Sequence, residues 1–134
     1  MIRRSAPRLA VVAVGLVIAL GTTACSRFRA DERARAVERL REIDGLLTDL
    51  DRAYTAGKRT DANQLATKIL FSFDNSVAER VVTQIDRRLH RELEPILEKQ
   101  LTAKVEAGAP VAEVGALIAR GHALVERAIR EIGR

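Results

Sequence analysis

The chain has 134 residues, 23 Lys and Arg against 18 Asp and Glu, one cysteine, one Tyr, three Phe and no Trp. A single cysteine excludes a disulfide framework and a thiolate metal site within one chain. Acids interspersed among the basic residues, with almost no aromatic rings on which bases could stack, exclude a nucleic-acid surface.

The N-terminus reads as a secretory signal. Arg3, Arg4 and Arg8 precede an apolar run from Leu9 to Leu20, followed by the small residues Gly21, Thr22, Thr23 and Ala24. Twelve residues rise only about 18 Å as a helix. A bilayer core needs about 20 apolar residues, so the run is too short for a permanent span. The lone Cys25 follows directly, without a thiol partner anywhere in the chain. This stretch resembles the lipobox of bacterial lipoproteins, with Ala24 before the cysteine and Thr22 where Leu is most usual. The resemblance implies cleavage after residue 24, a Cys25 carrying acyl chains such as palmitate, and anchorage on the extracytoplasmic face of the cell membrane. The alternatives are a signal cut near Ala24 that leaves Cys25 an incidental thiol, and an uncleaved signal anchor. Loss of the three signal arginines leaves 20 basic against 18 acidic side chains, a net charge of +2 on 110 residues. That length buries roughly 60–65% of the unfolded surface, enough for one domain without disulfide or metal.

After a short tether at residues 26–30, the spacing predicts four helices and no strand. Ala36, Leu40, Ile43, Leu47, Leu50 and Tyr54 recur at intervals of three and four within Asp31–Ala56, and Gly57 follows as the C-terminal cap. Thr60 is the expected N-cap of a second helix, Asp61–Phe73, with Ala62, Leu65, Ala66, Ile69 and Phe73 inward. Phe71 falls on a different side. A break at 74–76 precedes Ser76 and Glu79, spaced as a capping box. The third segment carries Ala78, Val82, Ile85, Leu89, Leu93, Ile96, Leu97 and Leu101 and ends at Gly108; Pro95 inside it predicts a kink near Leu93 or a split into two helices. The fourth starts at Pro110 with Val111, Val114, Ile118, Gly121, Val125, Ala128 and Ile132 on one stripe. Short joins make neighbours antiparallel, so the expected fold is an all-α, up-and-down four-helix bundle over residues 31–134.

Enzymatic signatures are absent: the chain has no phosphate-binding Gly loop, no G-x-S-x-G elbow and no H-E-x-x-H. The cluster with chemistry is Asp86, His90 and Glu94, one turn apart on the third segment. Carboxylates and an imidazole stacked on one stripe can chelate an iron or copper ion. The competing account is a solvated face on which Arg87, Arg88 and Arg91 pair with those acids. His122 is expected as a packed or boundary residue of the last helix, and Tyr54 as a core residue with its hydroxyl at the rim.

From Ala53 to Ala128 the order of features resembles the extracytoplasmic helical domain of Ftr1-type bacterial iron permeases. The matching pieces are Tyr54 and Gly57 in a Tyr-x-x-Gly turn, the Phe73–Asp74 pair, the Glu92–Glu94 acidic run, and the Gly108–Pro110 turn with Val114 opening the last helix. Lys58 and Asp74 depart from the family's commoner acid and Glu. The permease's membrane helices have no counterpart, so the resemblance implies an accessory domain that delivers or senses iron beside a separate permease. The expected function is a non-enzymatic binding or accessory lipoprotein of iron uptake, with the membrane and an iron permease or other envelope protein as partners. The rival is a structural or protein-interaction lipoprotein of the cell envelope with no metal ligand.

Overall fold

The computed structural model describes the backbone of residues 19–134 and the side chains of residues 29–134. The signal run up to residue 18 and the side chain of Cys25, with the lipidation expected there, lie outside the described residues. Among the described residues the chain is all-α, with no strand, and no helix is long and apolar enough to cross a membrane.

Helix α1 spans Ala19–Thr55. It therefore runs straight through residues 26–30, where a tether is expected; that stretch holds neither Gly nor Pro, so nothing in it ends a helix. All six residues of the α1 stripe, Ala36 to Tyr54, are buried. The helix stops where Gly57 turns left-handed at φ +73°, and the Lys58 and Gly57 amides close back onto the carbonyls of Ala53 and Tyr54. This turn is tight enough that α2 (Arg59–Phe73) begins at once. Lys58, not the expected Thr60, occupies the capping position, and its side chain caps nothing.

Helix α3 (Val77–Ile85) starts as the capping-box spacing predicts. The Glu79 amide donates to Ser76 Oγ at 3.2 Å, and Glu79 Oε2 accepts from the Asn75 amide at 2.7 Å. The third predicted helix is then divided, but at Asp86 and not at Pro95. Asp86 leaves the helical region (φ −147°, ψ 95°), and its Oδ1 accepts from the amides of Arg88 and Leu89, ending α3 and capping α4 (Arg87–Pro95). Pro95 lacks the amide that would bond to the carbonyl of Arg91. The chain answers with a widened π-helical stretch, Ile96–Gln100, which passes into α5 (Leu101–Glu106) without interruption. The predicted kink or split at Leu93–Pro95 is thus replaced by one unbroken rod from Arg87 to Glu106. Four predicted helices become five rods.

Gly108 (φ +64°) ends that rod, and α6 (Val111–Ile132) returns along α1. Its stripe is buried from Val114 onward, whereas Val111, expected inward, is half exposed in the first turn. Two polar contacts fix the antiparallel pairing of α1 and α6. The Tyr54 hydroxyl donates to the carbonyl of Ala109, and His122 Nδ1 meets Asp44 Oδ1. Between them Gly121 lets the helices approach, because a Cβ there would stand 3.3 Å from Leu47 Cδ1 and 3.8 Å from Ile96 Cγ2. Gly121→Val is expected to destabilise the domain by about 1–3 kcal/mol through overpacking. Gly115→Ala, with open space around it, should gain up to about 1 kcal/mol of helix propensity. Urea unfolding of the two variants checks both signs.

Candidate metal centre

The three residues of the predicted chelating stripe separate. Asp86 is consumed by its cap, and its other oxygen accepts from Arg127 Nη2 of α6 at 3.1 Å. The amide of Leu89 chiefly, then that of Arg88 and the charges of Arg127 and Arg88, hold its carboxyl below the ordinary aspartate range, although partial burial opposes them. Asp86 therefore serves the fold as a capping anion, with both oxygens engaged by amides and a guanidinium. His90 and Glu94 stay together, with His90 Nδ1 3.7 Å from Glu94 Oε2.

What faces His90 on its other side comes from elsewhere in the chain. The division at Asp86 folds α4 back along α3, so His90 Nε2 lies 3.2 Å from Oε1 of Glu79. The imidazole also stacks on the buried Phe73 ring, with centroids 6.3 Å apart and planes at 28°. Glu79 in turn belongs to a carboxylate group with Asp74, at the end of α2, and Glu98, in the π stretch; one oxygen from each lies within 4.8 Å of the others. Asp74, Glu79 and Glu98 thus form one carboxylate group drawn from three segments, and Glu79 links it to the His90–Glu94 pair on α4.

The electrostatics of this cluster are unbalanced. Glu98 Oε1 is fully buried and has no hydrogen-bond partner. Burial above all, then the charges of Glu79, Glu94 and Asp74, push its carboxyl above the ordinary glutamate range, with His90 pulling the other way. The nearby arginines do not relieve it. Arg88 pairs with Glu92 at 3.5 Å, and among the described residues neither Arg87 nor Arg91 pairs with Glu94. Ligand oxygens around an ion of first-row size stand about 2.0–2.2 Å from it, hence up to roughly 4.4 Å apart. A separation within 4.8 Å needs only small side-chain adjustments to close on a cation. An imidazole with carboxylates and no sulfur is a donor set for iron, manganese or zinc rather than for cuprous copper.

Sequence reasoning missed Glu79, which reads there only as a capping residue, and Glu98. The signal for Glu98 was present, since the four-residue step from His90 to Glu94 reaches it one turn later. The positions matched by resemblance divide. Phe73 and Asp74 lie at the cluster. Tyr54 and Gly57 lie at the opposite end of α2, where Arg59 donates to the Tyr54 hydroxyl at 2.9 Å and covers its ring at 4.7 Å, tying the Gly57 turn to the Gly108 turn. His122 is a partly exposed partner of Asp44 and lies outside the cluster.

No protein family, no curated protein sequence and no solved structure matches the chain. Any function must therefore be argued from this geometry.

Asp86→Ala is expected to lower the stability of the domain through loss of the cap. Asp86→Asn isolates the charge. Because the folded-state pKa is lowered, the wild-type advantage over Asn is fully present above the ordinary aspartate range and disappears as pH falls through the lowered value. Denaturant midpoints at neutral and acid pH read this directly.

Proposed function

We propose that this chain is a lipid-anchored extracytoplasmic protein that acts as a non-enzymatic cation-binding accessory module, with iron as its ion. The observation that supports this most is the carboxylate group of Asp74, Glu79 and Glu98, in which Glu98 Oε1 is buried without a partner and beside which Glu79 meets the His90–Glu94 pair. Like charges gathered around the unpartnered Glu98 oxygen oppose folding, and a bound cation relieves that opposition. Predominantly oxygen ligands with one imidazole and no sulfur argue against cuprous copper, and the choice of iron comes from the resemblance to the iron-permease domain, whose Phe–acid pair falls at Phe73 and Asp74. An iron permease is the partner this reading assigns.

Ion binding and internal repulsion make opposite demands on Glu98, which allows a decisive test. In metal-free buffer at neutral pH, Glu98→Gln should stabilise the domain by about 1 kcal/mol, because an unpaired buried carboxylate becomes neutral. Wild-type protein in ferric or ferrous ion at a hundred times its Kd should gain about 2.7 kcal/mol. For a domain of this size that is a rise in Tm of about 10–20 °C. Glu98→Gln and His90→Ala should lose most of that gain, and Asp86→Asn should keep it. Calorimetric titration showing the same heats for wild type and His90→Ala would sink the assignment.

The second reading, a protein-interaction lipoprotein with no metal ligand, is favoured by one observation. Phe71 is 70% exposed at the rim of an open groove of about 750 Å³ that includes Arg39, Thr67, Lys68 and Asn75. Such a module would show no ion-dependent Tm.

Anchorage has its own test. Cys25→Ala should abolish metabolic labelling with fatty acid and accumulate the uncleaved precursor. A variant recovered in membranes at mature length would contradict the lipid anchor.

A further inference from the structure

Basic and acidic residues alternate along α3 and α4 in sequence, but the fold separates them. From Asn75 to Arg91 every exposed residue is neutral or an arginine: Asn75, Arg80, Gln84, Arg87, Arg88 and Arg91. The two acids of that stretch point elsewhere, Glu79 to His90 and Asp86 into its own helix cap and Arg127. The fully exposed charges of α3 and of the first turns of α4 are therefore all positive, with Glu79 and Asp86 only partly exposed beside them, on a mature chain of net charge only +2. Its few counterions are weak. Arg80 lies 3.9 Å from Glu32 and Arg88 lies 3.5 Å from Glu92, with 65% and 80% of the two arginine side chains exposed.

The place of this surface in the fold names its ligand. The Arg80–Glu32 contact sets α3 beside the part of α1 that leads back to Cys25, and α1 remains helical throughout that interval. Seven residues separate Cys25 from Glu32, a rise of about 10 Å. This is about one Debye length at physiological ionic strength. Arg29 is exposed within that interval and Arg33 just beyond it, with the exposed Asp31 between them. A rigid helical stalk, in place of a loose tether, would hold these arginines at the level of the lipid phosphates.

We propose that the arginine surface formed by Arg80, Arg87 and Arg88, together with Arg29 and Arg33 on the stalk, docks on the acidic phospholipid headgroups of the bilayer. The inference rests on the lipid anchor at Cys25 proposed above, and it adds an orientation to that anchor. The α3 end of the bundle lies against the membrane. The Gly57 and Gly108 turns face away from it. Guanidinium groups are suited to the task because they offer paired donors to phosphate oxygens. Each arginine near an anionic leaflet multiplies the docked population by about fivefold.

The test uses the processed, lipid-bearing protein reconstituted on vesicles of phosphatidylcholine alone or of phosphatidylcholine with phosphatidylglycerol. Accessible arginines are modified with phenylglyoxal and counted by peptide mass spectrometry. On phosphatidylglycerol vesicles, Arg80, Arg87 and Arg88 should react at least about fivefold more slowly than on phosphatidylcholine, and high salt should abolish the difference. Arg52, exposed on the last turn of α1, should react equally on both. The triple variant Arg80→Gln, Arg87→Gln, Arg88→Gln alters only exposed positions, and it should release Arg29 and Arg33 from protection. Equal rates on the two lipid compositions would overturn the docking and leave an acidic protein as the ligand. So would a slowing of Arg52 as large as that of Arg80. If the chain fails to float with either vesicle before labelling, the anchor itself is wrong, and the docking falls with it.

Discussion

The side chain of Asp86 decides the shape of this domain. By accepting from the amides of Arg88 and Leu89 it stops one helix and starts the next within a single residue. In an uninterrupted helix, Glu79 and His90 would stand about 16 Å apart along the axis; with the break they are 3.2 Å apart. The same break lays α3 against α1, where Ala78, Val81 and Val82 join the buried core. Arg127 from α6 completes the anchor, so the corner between α3 and α4 is tied to the last helix by charge as well as by packing.

This corner also sorts charge. Of the acids near it, Asp86 is satisfied by amides and an arginine, whereas Glu79 gathers with Asp74 and Glu98 on one side and with His90 and Glu94 on the other. The arginines are turned outward. One face of the corner therefore concentrates negative charge under partial burial, and the other concentrates positive charge in solvent. Glu98 has a buried oxygen that lacks any donor. It sits in the π-helical stretch that follows Pro95. Widened turns of this kind are frequent at functional sites, and here the proline supplies a local reason for one.

The helical class and most of the core were legible from spacing alone. Intervals of three and four named the inward residues of α1, and all six are buried. Local signals also located Gly57, Gly108 and the Ser76–Glu79 cap, because each depends on a single residue's backbone preference or on a side chain three positions away. The site was half legible. His90 and Glu94 are one turn apart on one rod, and any helical reading pairs them. Glu79 and Asp74 approach only because α3 and α4 fold against each other, and no spacing rule crosses a helix break. Asp86 was misassigned for a related reason. An aspartate at an i, i+4 interval reads as a ligand or as a cap depending on whether the helix continues, and Pro95, nine residues later, drew attention as the more obvious breaker. The start of α1 was placed late for a different reason, since a boundary inferred from processing has no bearing on whether the backbone stays helical.

By itself, then, the sequence determined the elements: apolar period sets which face of each helix is buried, and glycine or a capping hydroxyl sets where a helix can end. Only the tertiary structure decided which charges meet and which face water. Ion pairs and ligand clusters form between segments, through distances of a few ångströms that depend on how the rods are turned. Asp86 leaves the helical region, so its carboxylate turns back onto the amides of Arg88 and Leu89 while Arg87, the next residue, looks outward from the first turn of α4.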